Sequence, residues 1–259
     1  MFSNPPTKEL NLPFGKKAFF ASDFHLGAPN ISESQKREKK IVEWLSSIRS
    51  ETGVLFLVGD LFDFWFEYKH VIPKGFTRFL AEVSKFVDDG IPVFVYTGNH
   101  DIWMFDYLKN EIGVEIIYEP TIFHINGKKF LVGHGDGLGP GDHKFKFLKR
   151  IFTFSLFQKM FSWLHPDIGV GLAQAWSNRS RTNPEDEKFE GEENERLMVY
   201  CRSVHADIQA QYYVFGHRHL PLNLRVDDHS RYINLGDWIV NYTYLEMDGT
   251  QVELKKYLK

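Results

Sequence analysis

A chain of 259 residues, 43% hydrophobic and with a formal charge of −3, has enough material for one substantial core. Its weak net charge argues against a general nucleic-acid binder, which needs a broad excess of Lys and Arg to displace counterions. A single cysteine, Cys201, excludes an internal disulfide and a thiolate cluster for structural zinc, and fits a reducing compartment. Met1 to Leu12 holds prolines and polar residues where an export signal would need a basic start and an apolar run. Apolar runs such as Val54–Val58 fall far short of the roughly 20 residues a spanning helix requires, so the expectation is a chain that does not cross a membrane.

Taken in order, Lys17 to Ser22 reads as a first buried strand that delivers Asp23 and His25. Ser32 and Gln35 form a candidate capping box, and a helix follows with Ile41, Trp44, Leu45 and Ile48 on one face and Lys36, Arg37, Lys39 and Lys40 toward water. Val54 to Val58 is a second strand, ending at Gly59-Asp60. A second amphipathic helix carries Phe76, Phe79, Leu80, Val83, Phe86 and Val87, and stops near Gly90. Pro92 to Thr97 is a third strand, ending at Gly98-Asn99-His100. Strand, helix, strand, helix, strand indicates parallel pairing with crossover helices, and ligands of such sheets gather beyond the carboxyl ends of the strands.

The later chain changes character. Thr121–Ile125 and Lys128–Val132 flank Asn126-Gly127, a hairpin signal, and the second of these strands delivers His134. Tyr212 to Phe215 delivers His217 and His219. Arg231–Leu235, Tyr242–Met247 and, after an Asp248-Gly249 turn, Thr250–Tyr257 complete an antiparallel region. The expected architecture is α/β, with two facing sheets flanked by helices.

Between Asp142 and roughly Tyr200 the strand pattern is interrupted by what reads as a helical cap insertion within a single domain spanning residues 1–259. From His143 to Pro166 there is no Asp or Glu. Lys144, Lys146, Lys149, Arg150 and Lys159 alternate there with Phe145, Phe147, Phe152, Phe154, Phe157, Phe161 and Trp163. Such a stretch suits an apolar pocket or an anionic lipid surface, and equally a cap whose aromatics bury against the core. Glu185 to Glu195, crowded with carboxylates, reads as an exposed mobile loop or a frayed helix start, without a catalytic role.

Five motifs follow predicted strands: Asp23-Phe24-His25, Gly59-Asp60-Leu61-Phe62-Asp63, Gly98-Asn99-His100-Asp101, Gly133-His134-Gly135-Asp136 and Gly216-His217-Arg218-His219. A lone histidine is usually structural, and His70, His124, His165, His205 and His229 are left at that reading. The ordered set of five resembles the signature of the calcineurin-like metallophosphoesterases, whose fold is a four-layer αββα sandwich. The resemblance implies that Asp23, His25, Asp60 and His219 hold one divalent metal ion and Asp60, Asn99, His134 and His217 a second, with Asp60 shared. Mixed imidazole and carboxylate ligands suit several first-row metals; manganese is the ion the resemblance favours. Two metals sharing a carboxylate can clamp a phosphoryl group and lower the pKa of a bridging water, which supplies hydroxide for in-line attack.

In that family the His100 position lies beside the reacting phosphate, where it can donate to the leaving oxygen. Asp63 is the residue expected to orient it, with a helix N-cap as the competing reading. The stretch Gly59–Trp65, the run from His134 to Asp142, the insertion at that point, and Gly216–Pro221 together are similar to the UDP-2,3-diacylglucosamine diphosphatase family of the lipid A pathway. That likeness covers nearly the whole chain. It implies cleavage of the diphosphate to UMP and 2,3-diacylglucosamine 1-phosphate, at the inner face of the bacterial inner membrane, by a cytoplasmic protein in peripheral contact with anionic lipid and without nucleic acid or an obligate protein partner. It also implies sugar contact by Asp142 and substrate contact by Ser177, Arg179 and Ser180. One position departs: the best-known branch has Arg where this chain has His100, the choice of the wider superfamily, and this bears on the substrate rather than on the metal chemistry. The alternatives are a phosphodiesterase or phosphatase acting on another nucleotide or soluble phosphate ester and, more remotely, a noncatalytic interaction module.

Overall fold

The computed structural model describes residues 5–141, 143–172 and 188–258. Among these residues twelve strands form two six-stranded sheets. One has the order β12 (Val252–Lys256), β11 (Thr243–Met247), β2 (Lys17–Ala21), β3 (Thr52–Val58), β4 (Val93–Tyr96), β5 (Glu115–Ile117). The other runs β1 (Thr7–Leu10), β6 (Thr121–Ile125), β7 (Lys128–Gly133), β8 (Tyr212–Phe215), β10 (Arg231–Leu235), β9 (Pro221–Arg225). Strands β2 through β5 are parallel, as are β7, β8 and β10, and the remaining pairs except β1–β6 are antiparallel.

The period-two alternation of the strands builds three apolar layers, one between the sheets and one on each outer face. Phe20, Phe56 and Phe94 point between the sheets and meet Phe123, Phe130 and Ile233 of the opposite sheet. Phe19, Leu55 and Leu57 point outward, under helices α1 (Ile31–Ile48) and α2 (Thr77–Asp88), with Trp44, Leu45, Phe79 and Phe86. The outer face of the second sheet is covered by a helix at Arg196–Ile208, whose Leu197, Met198, Cys201 and Val204 pack on Leu131, Tyr213 and Tyr232. The four layers are therefore helix, sheet, sheet, helix, as the sequence led us to expect. Between β7 and that last helix lie α3 (His143–Phe152), α4 (Ser155–Phe161) and a helical stretch at 166–172; in chain order Arg196–Ile208 is called α5 below.

Several local expectations are corrected. The cap of α1 is Asn30, whose side chain accepts from Glu33 N, so the helix starts at Ile31 and the Ser32–Gln35 box is not used. Arg37 does not face water: it is buried on the same stripe as Ile41, Trp44 and Ile48 and donates to the carbonyls of His25 and Ala28. Asn126 and Gly127 take φ of 48° and 80° and join β6 to β7, as a tight hairpin requires. The strands the sequence reading missed, β1, β5 and β9, are short and lie at sheet edges, where burial on one face only leaves a weak pattern. Among the described residues no helix is long and apolar enough to cross a membrane.

Candidate metal centre

The two sheets bring their strand ends to one place. Asp23 and His25 follow β2, Asp60 follows β3, and Asn99 and His100 follow β4 in the first sheet. His134 follows β7, and His217 and His219 follow β8 in the second. Main-chain bonds fasten these loops: Asp23 N to Gly59 O (3.1 Å), His25 N to Asp60 O (2.9 Å) and Gly216 N to His134 O (2.9 Å).

Beside a cluster of His25, Asp63 and His100, two groups of candidate ligand atoms result among the described residues, Asp23–His25–His219 and Asp60–His134–His217, each with its atoms within 4.8 Å of one another. Asp60 joins them. Its Oδ2 lies 3.3 Å from His134 Nε2 and 3.7 Å from His25 Nε2. In the first group His219 Nε2 is 3.2 Å from Asp23 Oδ1 and 3.1 Å from His25 Nε2. Two imidazole nitrogens at that distance, beside buried carboxylates, form a donor set that accommodates a cation between them.

Three further observations fit metal ions. His134 Nδ1 is 2.9 Å from the Val58 carbonyl, which fixes it as a donor and makes Nε2, 3.3 Å from Asp60 Oδ2, the atom that would turn to a metal once its proton is displaced. Asn99 Oδ1 is buried without a hydrogen-bond partner among the described residues. Finally, Asp23, His25, Asp60, His217 and His219 all have left-handed φ, between 43° and 69°. Such conformations cost about 1–3 kcal/mol each for residues other than glycine, and persist where a site depends on them.

The motif glycines make this closeness possible. A Cβ on Gly59 would lie 2.5 Å from His134 Nδ1, and one on Gly216 would lie 2.5 Å from Asp23 Oδ2 and 2.6 Å from Ser22 Oγ.

The metal-free electrostatics show what the ions must displace. Burial alone would lower His25, but hydrogen bonding to Asp23 and Asp63 and the charge of Asp60 raise it to about 9. Burial opposes and the Asp60 carboxylate outweighs it at His134, raised to about 10. Asp60 is held well below the usual carboxylate range: burial opposes this, and the His134 charge, with its hydrogen bond and the His25 charge, prevails. His217 falls to about 4 through burial and the neighbouring His134 charge.

His100 is half-buried beside the first group, its ring 4.8 Å from that of His25. Its main-chain N donates to Asp60 Oδ1 (2.9 Å), and its Nδ1 lies 3.1 Å from the Asp63 carbonyl. Asp63 thus reaches His100 chiefly through its main chain. Its carboxylate sits 3.7 Å from both His100 Nδ1 and His25 Nδ1, and no helix starts after it, so it is not a helix cap. Burial lowers the His100 pKa.

Other supporting residues carried no role in the sequence reading. Asp101, fully buried, accepts from Leu61 N (2.7 Å), Phe62 N (3.3 Å) and Gly98 N (2.7 Å), so one carboxylate ties the loop of Asp60 to the loop of Asn99. Burial and the Asp60 charge push it up to about 7. Glu195, expected in an exposed loop or at a frayed helix start, stands at a helix start but is buried: it caps α5 at Leu197 N and pairs with Arg218 at 3.3 Å, within the His217–His219 loop. Arg37 belongs here too, and its place on the apolar stripe of α1 was the signal for it. The expected substrate residues Asp142, Ser177, Arg179 and Ser180 lie outside the described residues.

The family model described as calcineurin-like phosphoesterase matches residues 17–221, a span that includes every candidate ligand. The chain belongs to that family. Among curated relatives, UDP-2,3-diacylglucosamine hydrolase of Porphyromonas gingivalis is 34% identical over 253 residues, covering 92% of this chain and 97% of that protein. The proteins of the same name from Shewanella sp. (strain W3-18-1) and Histophilus somni are 24% and 25% identical, over 92% and 90% of this chain and 96% and 97% of theirs. Membership of the calcineurin-like phosphoesterases implies a metal-dependent hydrolase that works with divalent ions, consistent with the two clusters above.

Proposed function

We propose that this phosphoesterase hydrolyses the diphosphate bond of UDP-2,3-diacylglucosamine, releasing UMP and 2,3-diacylglucosamine 1-phosphate for lipid A synthesis. The observation that carries the substrate is the near full-length similarity to the Porphyromonas gingivalis protein of that name. Asp23, His25, Asp60 and His219 hold one ion, and Asp60, Asn99, His134 and His217 the other, with manganese as the ion in both. When bound, the ions supply charge for the phosphoryl oxygens and an acidified water as nucleophile.

The chain's own residues do the rest. The Asp63 carbonyl fixes the His100 tautomer at Nδ1 and leaves Nε2 as the atom that exchanges a proton. Burial keeps the free imidazole neutral at pH 7, whereas an arriving diphosphate favours the charged form. His100 then takes up a proton at Nε2 and gives it to the leaving phosphate oxygen. Asp101 keeps the loops of Asp60 and His100 in register throughout.

The helices α3 and α4 support an acylated substrate. They are docked by Trp103 Nε1 to Phe152 O (2.8 Å) and by Phe161 against Phe66 and Trp103 (4.7 and 4.6 Å). Lys149 pairs with Asp136 at 2.6 Å, and Lys146 donates to the Gly139 carbonyl, so these two lysines turn toward the loop after His134. Phe147, Phe154, Leu156, Met160, Trp163 and Ile168 remain more than half exposed, beside the exposed Arg150 and Lys159. Some of the aromatics thus dock the helices and others face outward. We assign the exposed set to acyl chains and to peripheral contact with an anionic inner-membrane surface, in a cytoplasmic protein whose helical insertion at about 142–200 acts as a cap.

The test is UMP release from UDP-2,3-diacylglucosamine by manganese-loaded protein, beside UDP-N-acetylglucosamine, which lacks the long acyl chains. Turnover confined to the acylated compound is expected. Folded, metal-loaded protein that ignores it while cleaving a simple phosphodiester would refute the substrate and favour a soluble phosphate ester.

A further inference from the structure

The turn Asp237–Asn241, between β10 and β11, touches two strained residues of the first ligand group. Trp238 N donates to the Asp23 carbonyl at 3.1 Å, and Asn241 Nδ2 donates to the His219 carbonyl at 3.0 Å. Both acceptors belong to residues with left-handed φ, 56° at Asp23 and 52° at His219. A residue other than glycine stays in that region only where its surroundings over-determine it.

The turn itself is rigid for reasons visible in its side chains. The Asp237 carboxylate is 3% exposed. Its Oδ1 accepts from Ile239 N and Val240 N, both at 2.6 Å, and its Oδ2 from Asn241 Nδ2 at 2.5 Å. Trp238 is fully buried against Trp44 and Phe24, with ring centroids 4.6 and 5.5 Å away, and its indole N–H donates to Thr243 O at 2.9 Å. One carboxylate therefore aims a main-chain N–H at Asp23 and a side-chain amide at His219.

We propose that Asp237 and Asn241 are positioning residues for the first metal group. They hold the main chain at Asp23 and His219, and so set the 3.2 Å approach of Asp23 Oδ1 to His219 Nε2. Among the described residues, no hydrogen bond from this turn reaches Asp60, His134 or His217. The second group meets the turn indirectly, through Asp23, whose carboxylate accepts from His217 N at 3.1 Å, so the effect falls first on the first group. The inference rests on the reading of Asp23 and His219 as metal ligands.

The experiment is a titration of metal-free protein with Mn2+, with His219→Ala and His134→Ala used to assign the two binding steps. Asn241→Ala is expected to weaken the step that His219→Ala weakens, by about tenfold or more, as loss of a group that orients a ligand typically does. The other step, linked to the turn only by way of Asp23 and His217 N, should weaken less. Val240→Ala, in the same turn but 70% exposed, should leave both steps as in the parent. Parental affinity at both steps in Asn241→Ala, beside a weakened step in His219→Ala, overturns the positioning role alone. Equal weakening of both steps overturns it in favour of general destabilisation. If His219→Ala weakens neither step, the ligand assignment fails and takes this inference with it. Amide exchange on the unsubstituted protein gives a second readout independent of any variant's folding: Mn2+ should slow exchange at Trp238, and an unchanged rate overturns the proposal.

Discussion

Replacing Gly59 with alanine tests whether the centre depends on backbone proximity as well as on ligand identity. Gly59 has φ of +83°, and an added Cβ would meet His134 Nδ1 at 2.5 Å, His134 Cγ at 2.7 Å and Gly98 N at 3.0 Å. His134 cannot easily withdraw, because its Nδ1 is held 2.9 Å from the Val58 carbonyl. Two costs add. A left-handed alanine costs about 1–2 kcal/mol, and forced overpacking in a dense interior a further 1–3 kcal/mol or so, for a total of about 2–5 kcal/mol. Gly90 separates them, since its φ is +75° but a methyl group there would meet nothing within 4 Å; Gly90→Ala carries only the first cost.

At about 2–4 °C per kcal/mol for a chain near this size, the metal-free Gly59→Ala protein should melt about 4–20 °C below the parent and Gly90→Ala about 2–8 °C below. Only Gly59→Ala should also weaken Mn2+ binding, at the step that His134→Ala removes. Differential scanning calorimetry of both variants, with a parallel Mn2+ titration, decides the matter. Gly59→Ala that melts with Gly90→Ala and binds metal like the parent would refute the argument that a methyl group at position 59 cannot be accommodated against His134.

The pH dependence of metal loading follows from His25 at about 9 and His134 at about 10. Both lie above the ordinary histidine value, so at pH 7 each metal-free imidazole carries a proton that a metal must displace; affinity should rise with pH and level off as the two values are passed. Calorimetry in buffers of different ionisation heat should find about two protons released per protein at pH 7, and release of none would contradict the charge assignment. His100→Ala should keep its metals, because the bond to Asp60 comes from the main chain, yet lose about 10²–10⁴-fold in kcat; unchanged turnover would make His100 a bystander. Arg150→Gln with Lys159→Gln should weaken partitioning onto anionic vesicles by about 2 kcal/mol at low salt, near 1 kcal/mol for each charge, and equal partitioning would dissociate the exposed face of α3 and α4 from lipid.

What the sequence made legible were features that leave a repeating or local mark. The alternation of Phe19, Phe20 and Ala21, or of Leu55, Phe56 and Leu57, announces strands buried on both faces, and each motif glycine sits where a strand must end abruptly against another chain segment. The candidate ligands stood out because metal chemistry restricts residue type: carboxylate, imidazole and amide recur at five strand ends. Arg37 shows where that reading stops. Its charge suggested water, but its position on the stripe of Ile41 and Trp44 decides its direction, and its cost of burial is met by main-chain carbonyls at His25 and Ala28. Main-chain partners have no residue type, so no motif records them.

The side chains that support the centre leave a fainter mark in the sequence than the centre itself. Asp101 acts on N–H groups of Leu61, Phe62 and Gly98, and Asn241 acts on the carbonyl of His219. Both bridge segments far apart in sequence, and both fix loops whose residues occupy costly left-handed conformations. A dinuclear centre must bring carboxylates and imidazoles closer than their charges and volumes favour before any ion arrives. The strain at Asp23, Asp60 and His219 is then the cost of pre-organisation, and it falls on the buried hydrogen bonds around them to offset it. Loss of such a bond should therefore appear first in metal affinity and only secondarily in the stability of the sheets, whose aromatic core between Phe20, Phe56 and Phe130 does not depend on the ions.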